Sequence, residues 1–258
     1  MKKSLLALAV LAALVPSLAM AEAGDIVVRL RATHIAPDES SKLGAQTDAT
    51  LPAGTLNSLG LAGTGAVTST TLYGSPNATL QVDSNTIPEI DFSYYITKNI
   101  AAELILAVGT RHDVNVSGSG GVLNTHALGS VNLLPPTLTA QWHFNPDQTF
   151  DPYVGAGFSY VRAMDRSLNA NVDGRPLDAG ASVNLPIHIE RNSFGPAIQV
   201  GFDYNLENRW LLNFDVKKIW FGTDVTVDTT AIGAPGWKKI DSLDVDPWVV
   251  SVGFGKKF

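Results

Sequence analysis

The stretch DPWVVSVGFGKKF constrains this chain more than any other. From Trp248 every second residue is large and apolar (Trp248, Val250, Val252, Phe254), and Phe258 resumes the register after a break at Lys256. The residues between them (Val249, Ser251, Gly253, Gly255, Lys257) are mostly small or polar. A period of two with one greasy face is a β-strand with one side in an apolar medium. Soluble proteins avoid leaving such a strand at a sheet edge, where its unpaired amides template aggregation. A closed barrel in a membrane removes the edge and gives the greasy face lipid to meet.

The first residues agree. Lys2 and Lys3 precede an apolar run over residues 5–15 and a small-x-small site at Ala19-Met20-Ala21. Residues 1–21 are therefore expected to be a secretory signal peptide, with a mature chain from Glu22. The formal net charge of −6 argues against a nucleic-acid partner, which needs basic patches. With no cysteine, an exported chain of 258 residues must be held by its own packing or by lipid.

Eight segments of alternating character follow, over residues 25–34, 88–97, 100–111, 134–144, 152–163, 194–206, 210–221 and 240–258. In the first, Ile26, Val28, Leu30 and Ala32 share one face, and Arg29 and Arg31 lie on the other. Two arginines alternating with apolar residues are out of place in a dry soluble core and natural in a polar barrel lumen. Throughout, the face bearing Asp, Glu, Gln and Arg also carries Gly, Ser, Thr and Ala, which a narrow eight-stranded interior requires. Long polar stretches near 36–85, 113–131, 164–192 and 223–239 alternate with tight turns, as in barrels whose extracellular loops are the elaborate ones. Aromatics gather at strand ends (Trp142, Tyr153, Tyr204, Trp210, Trp220, Trp248), where an interfacial girdle would lie. The expected fold is all-β: a transmembrane, eight-stranded, antiparallel up-and-down barrel in the outer membrane of a Gram-negative bacterium.

The segments LPPTLTAQWHF, DPYVGAGFSYV, SFGPAIQVGFDYNL, WLLNFDVKKIW and DVDPWVVSVGFGKKF, in this order, resemble the outer-membrane protein W family across essentially the whole mature chain. The resemblance implies a monomeric barrel with a partly apolar lumen and passive uptake of small hydrophobic molecules. Two features depart from the family pattern. The first loop is long, and Lys256 stands where an aromatic is common. Phe254 and Phe258 remain as the signal expected to be read by the barrel-assembly machinery, and the other partners expected are outer-membrane lipids and the hydrophobic solutes themselves.

Three groups of residues are candidates for function. Leu134, Pro135 and Pro136 form the first, because consecutive prolines remove ladder hydrogen bonds. They could open a sideways exit from lumen to bilayer, or simply begin a strand. Ile105, Ile219 and Phe194 are the apolar lumen candidates. Phe194 reaches the lumen only if Gly195-Pro196 is a bulge that resets the register, and is otherwise an interfacial aromatic. Arg29, Arg31, Glu103, Asp203, Asp215 and Lys217 form the charged group, read as mutually neutralising ion pairs that plug the lumen in preference to an ion path.

No catalytic constellation, metal motif or cofactor fingerprint stands out. The five histidines are dispersed, there is no HExxH, and His188-Ile189-Glu190 reads as a solvated loop. The chain is expected not to be an enzyme and to need no cofactor. The competing reading is a non-conducting structural or receptor barrel that binds partners or phage through its loops.

Overall fold

An antiparallel sheet crossing lipid must satisfy every backbone amide within itself, which closure alone achieves. The computed structural model shows that closure, describing residues 22–44, 46, 78–107, 109–117, 127–173, 182–230 and 236–258. The barrel strands are β1 (Ile26–Ala36), β3 (Asn85–Tyr95), β4 (Ile100–Ala107), β7 (Thr137–His143), β8 (Phe150–Asp165), β11 (Asn192–Asn205), β12 (Trp210–Ile219) and β15 (Trp248–Lys257). Each pairs antiparallel with the next in that order, and β15 returns to β1. The ring therefore has eight strands and no free edge.

Alternation along each strand separates two environments. Arg29, Asp91, Glu103 and Asp215 are wholly buried inside, whereas Leu30, Phe158 and Val252 are half exposed outside. Exposed Trp142, Tyr204 and Trp210 mark the end with short turns, and Trp220 and Trp248 the opposite, distal end. A ring of exposed apolar side chains bounded by aromatics is unstable in water and matches a bilayer.

Seven further strands build a distal extension: β2 (Thr79–Val82), β5 (Thr110–Ser117), β6 (Ala127–Leu134), β9 (Ser167–Asp173), β10 (Ser182–Ile189), β13 (Gly222–Asp228) and β14 (Trp237–Asp244). Strands β2, β5 and β6 continue the barrel sheet, and β9, β10, β13 and β14 form a second, four-stranded sheet. The stretches expected as loops at 113–131, 164–192 and 223–239 thus carry strands at their flanks. Short alternations such as Val114/Val116, Ile187/Ile189 and Val225/Val227 drive them, since these residues bury together at the distal end. The expected single strand over 240–258 is two strands, parted at Asp246 (φ 37°) and Pro247, which cannot continue a ladder. Asp246 Oδ1 fixes the break by accepting from the Phe221 amide at 2.9 Å. Residues 1–21, expected to be a signal peptide, and parts of all four stretches expected as long loops lie outside the described residues.

Candidate functional site

The interior changes chemistry along the barrel axis. Near the short turns, register builds a charged layer: Arg29 sits opposite Asp91, and Arg31 opposite Glu89, in the β1–β3 ladder. Arg29 donates to Asp203 at 2.6 Å, to Ser93 at 2.6 Å and to Asp91 at 3.2 Å. Arg31 donates to Glu89 at 2.6 Å and pairs with Asp91 at 3.0 Å. Glu103 accepts from Thr139 and from Gln199, both at 2.7 Å. Lys217 and Tyr153 both donate to Asp215, at 2.9 Å. Asn213 joins the halves by donating to Asp203 at 2.8 Å and to the Tyr153 hydroxyl at 3.1 Å. The six charged residues singled out in the sequence thus meet in one network, with Glu89 and Asp91 added. Fixed polar contacts fill the barrel at this level, so it offers no apolar path.

Close packing demands glycine here. At Gly253, which faces Arg31 across the β15–β1 ladder, an added Cβ would lie 2.9 Å from the Arg31 Cγ and closer still to the Leu30 carbonyl oxygen.

Above the plug the lumen turns apolar. A chamber here has Glu89 and Lys217 in its lining, together with Ile35, Ile105, Ala107, Ile219, Val249 and Pro247. A second chamber lies distal to it, among Leu80, Val114, Val131, Leu168, Ile189 and Leu243. Val82, Leu133, Val161, Phe221 and Val245 line both, so the two chambers share an apolar collar. Ile105 and Ile219 are buried in the lumen wall here.

Phe194 is not. The β8–β11 ladder runs unbroken past Gly195 and Pro196, with Phe194 opposite Tyr160 and no bulge to reset the register. The ring is 67% exposed on the outer face and stacks on Phe158 at 5.4 Å between centroids. Pro196 is accommodated without a bulge because its carbonyl still accepts from the Trp220 amide at 3.0 Å.

The ladder beside the first chamber is interrupted at the two prolines. The β4–β7 ladder ends at Ile105 opposite Thr137, and the β5–β6 ladder begins at Thr110 opposite Leu133. Among the described residues, no ladder pair joins Leu106, Ala107 and Gly109 to Leu134, Pro135 and Pro136. The other flank holds, since the Tyr160 amide donates to the Pro136 carbonyl at 2.9 Å. Pro135 lines the chamber, but Leu134 and Pro136 do not; Leu133 takes that part. Leu133, Val161, Phe221 and Val245 were missed as lumen residues because they flank strand boundaries, where alternation alone cannot assign a depth.

The OmpW family model matches residues 22–258. The chain belongs to that family. It is 37% identical to an uncharacterized outer-membrane protein, y4mB, of Sinorhizobium fredii over 72% of each chain. Against outer membrane protein W of Escherichia coli it is 32% identical over 100% of this chain and 99% of the relative. The crystal structure of the outer membrane protein OprG from Pseudomonas aeruginosa superposes with a TM-score of 0.69 at 26% identity, covering 94% of this chain and 99% of that one. This OmpW-family barrel is accordingly a protein of the Gram-negative outer membrane, with lipid against its apolar face.

Proposed function

We propose that this OmpW-family barrel is a passive conduit for small hydrophobic molecules that releases them sideways. Solute enters the distal chamber, passes the collar of Leu133, Val161 and Phe221, and leaves the proximal chamber through the wall at Pro135-Pro136 into the bilayer. One observation carries this reading: the apolar chambers end on a plug of ion pairs, and beside that dead end stands the unladdered wall segment. An apolar solute gains nothing by entering the charged layer, whereas the lipid beyond the gap receives it at no desolvation cost. The resemblance to barrels of this family linked to hydrophobic uptake points the same way. The barrel acts as a monomer, inserted by the barrel-assembly machinery through the terminal strand bearing Phe254 and Phe258.

The double variant P135V/P136V restores two amide donors and lets the ladder close. Entry of an apolar dye into cells carrying it should fall toward that of cells without the protein, with the heat-modifiable barrel band on gels unchanged. Unaltered entry through a folded double variant would refute sideways release.

A further inference from the structure

We propose that His112 accepts a hydrogen bond from the solute, so that the proximal chamber selects small apolar molecules bearing one O–H group, such as aliphatic alcohols and phenols, over ethers and hydrocarbons of equal size. This deepens the conduit reading and rests on it.

His112 lies on the inner face of β5, is 4% exposed, and lines the chamber together with Ala107, Thr110 and Pro135, the residues around the wall gap. Its Nδ1 stands 2.8 Å from the Asp83 carbonyl oxygen. A carbonyl only accepts, so Nδ1 carries the proton, and Nε2 of the neutral ring is a bare lone pair. Among the described residues no donor is bonded to Nε2. Both hydroxyls in the lining are engaged: Thr110 donates to the Leu133 carbonyl at 2.5 Å, and Thr137 bonds Ser159 at 3.0 Å. Of the two charged residues there, Lys217 is held by Asp215 at 2.9 Å and Glu89 by Arg31 at 2.6 Å. Nε2 is thus a fixed acceptor held ready beside the exit.

The ring stays neutral at this depth. Its strand neighbours Arg111 and Asp113 are exposed and charged, which places it beyond the apolar belt, yet burial pushes the imidazolium below its ordinary pKa. The Asp83 carbonyl and the charges of Asp113 and Asp83 oppose that push without cancelling it. Glu89 and Lys217 are the other charged groups facing the same space. An acceptor in an apolar chamber is costly while unpaired. A solute hydroxyl satisfies it; an ether or alkane that displaces water from it does not.

The test uses the full mature chain in nanodiscs, labelled with 15N-histidine, and two isomers, 1-octanol and 1-methoxyheptane, compared at equal free concentration. In the wild type 1-octanol should bind about fivefold more tightly, the net effect of one hydrogen bond, and should move the Nε2 resonance toward its hydrogen-bonded position, which the ether should not. H112F should bind both isomers equally, at the affinity the wild type shows for the ether, and H112Q, which retains an acceptor, should recover part of the preference. Equal binding by the wild type, an unmoved Nε2 signal, or a preference that survives in H112F overturns the role of His112 and leaves the conduit reading intact. Absence of binding by either isomer to the wild type overturns both. The wild-type resonance decides the matter even if H112F fails to fold.

Discussion

The two halves of this lumen are built from the same strands and obey opposite rules. In the half near the short turns, Arg29, Arg31 and Lys217 meet five carboxyl groups (Glu89, Asp91, Glu103, Asp203, Asp215), and almost every donor finds an acceptor. In the distal half Ile35, Ile219, Phe221 and Val249 pack together and line the apolar chamber. The charged half is rigid because removing any member strands its partners in a place water does not reach. The apolar half can stay partly empty because apolar walls leave no hydrogen bond unmade and a dry cavity costs only lost contacts. A plug and a receptacle therefore coexist in one barrel.

That contrast can be broken first at Arg29. R29L leaves Asp203 buried without its cation and Asp91 with Arg31 alone, and should destabilise the barrel by about 3–5 kcal/mol, read as a fall in the temperature at which the folded gel band is lost. A mere surface-like loss below about 1 kcal/mol would mean that the plug is loosely held. In the apolar half, I219A should cost about 2 kcal/mol by the same assay and enlarge the proximal chamber, so that bulkier apolar dyes enter faster while small ones are unaffected. In the distal half, acid should act through His112. His112 has a depressed pKa when folded, so its neutral form is favoured, and the stability this secures is complete above the unfolded value of about 6.5 and lost as pH falls below it. Binding of 1-octanol should weaken in the wild type as pH falls through the folded-state value, which lies below 6.5, and stay flat in H112F; parallel pH curves would contradict the assignment. The smallest effect is expected outside the barrel. Lys256, the residue that interrupts the terminal aromatic register, lies over the Trp210 ring at 5.2 Å and the Phe258 ring at 5.8 Å. K256A should cost no more than about 1 kcal/mol, measured by the same thermal shift.

The sequence was most legible where alternation was strict. The inward positions of Arg29, Glu103, Asp203, Asp215 and Lys217 follow from parity alone, because in a closed barrel the lipid face cannot hold them. The departure from parity expected at Phe194 did not occur: Gly195-Pro196 suggested a bulge, but the ladder with β8 simply continued and left the ring outside. It hinted at the distal extension only at 79–82 and 223–239, because strands there stand in water at one face and carry Asn, Thr and Ser freely. His112 was one histidine among five in the sequence. Only its contact with Asp83, 29 positions earlier, makes it an acceptor inside the lumen.

By itself the sequence determined the class of object: a closed eight-stranded barrel in lipid, with the terminal strand as its last stave. A side-chain period of two against a membrane permits no other arrangement of those residues. Tertiary structure alone decided where the lumen closes and where its wall does not. Those properties depend on which residue of one strand faces which residue of the next, and the offset between neighbouring strands is set by ladders and turns that no single segment encodes. Arg29 stands opposite Asp91 in the charged layer, and the run beside Pro135 and Pro136 carries no ladder pair among the described residues.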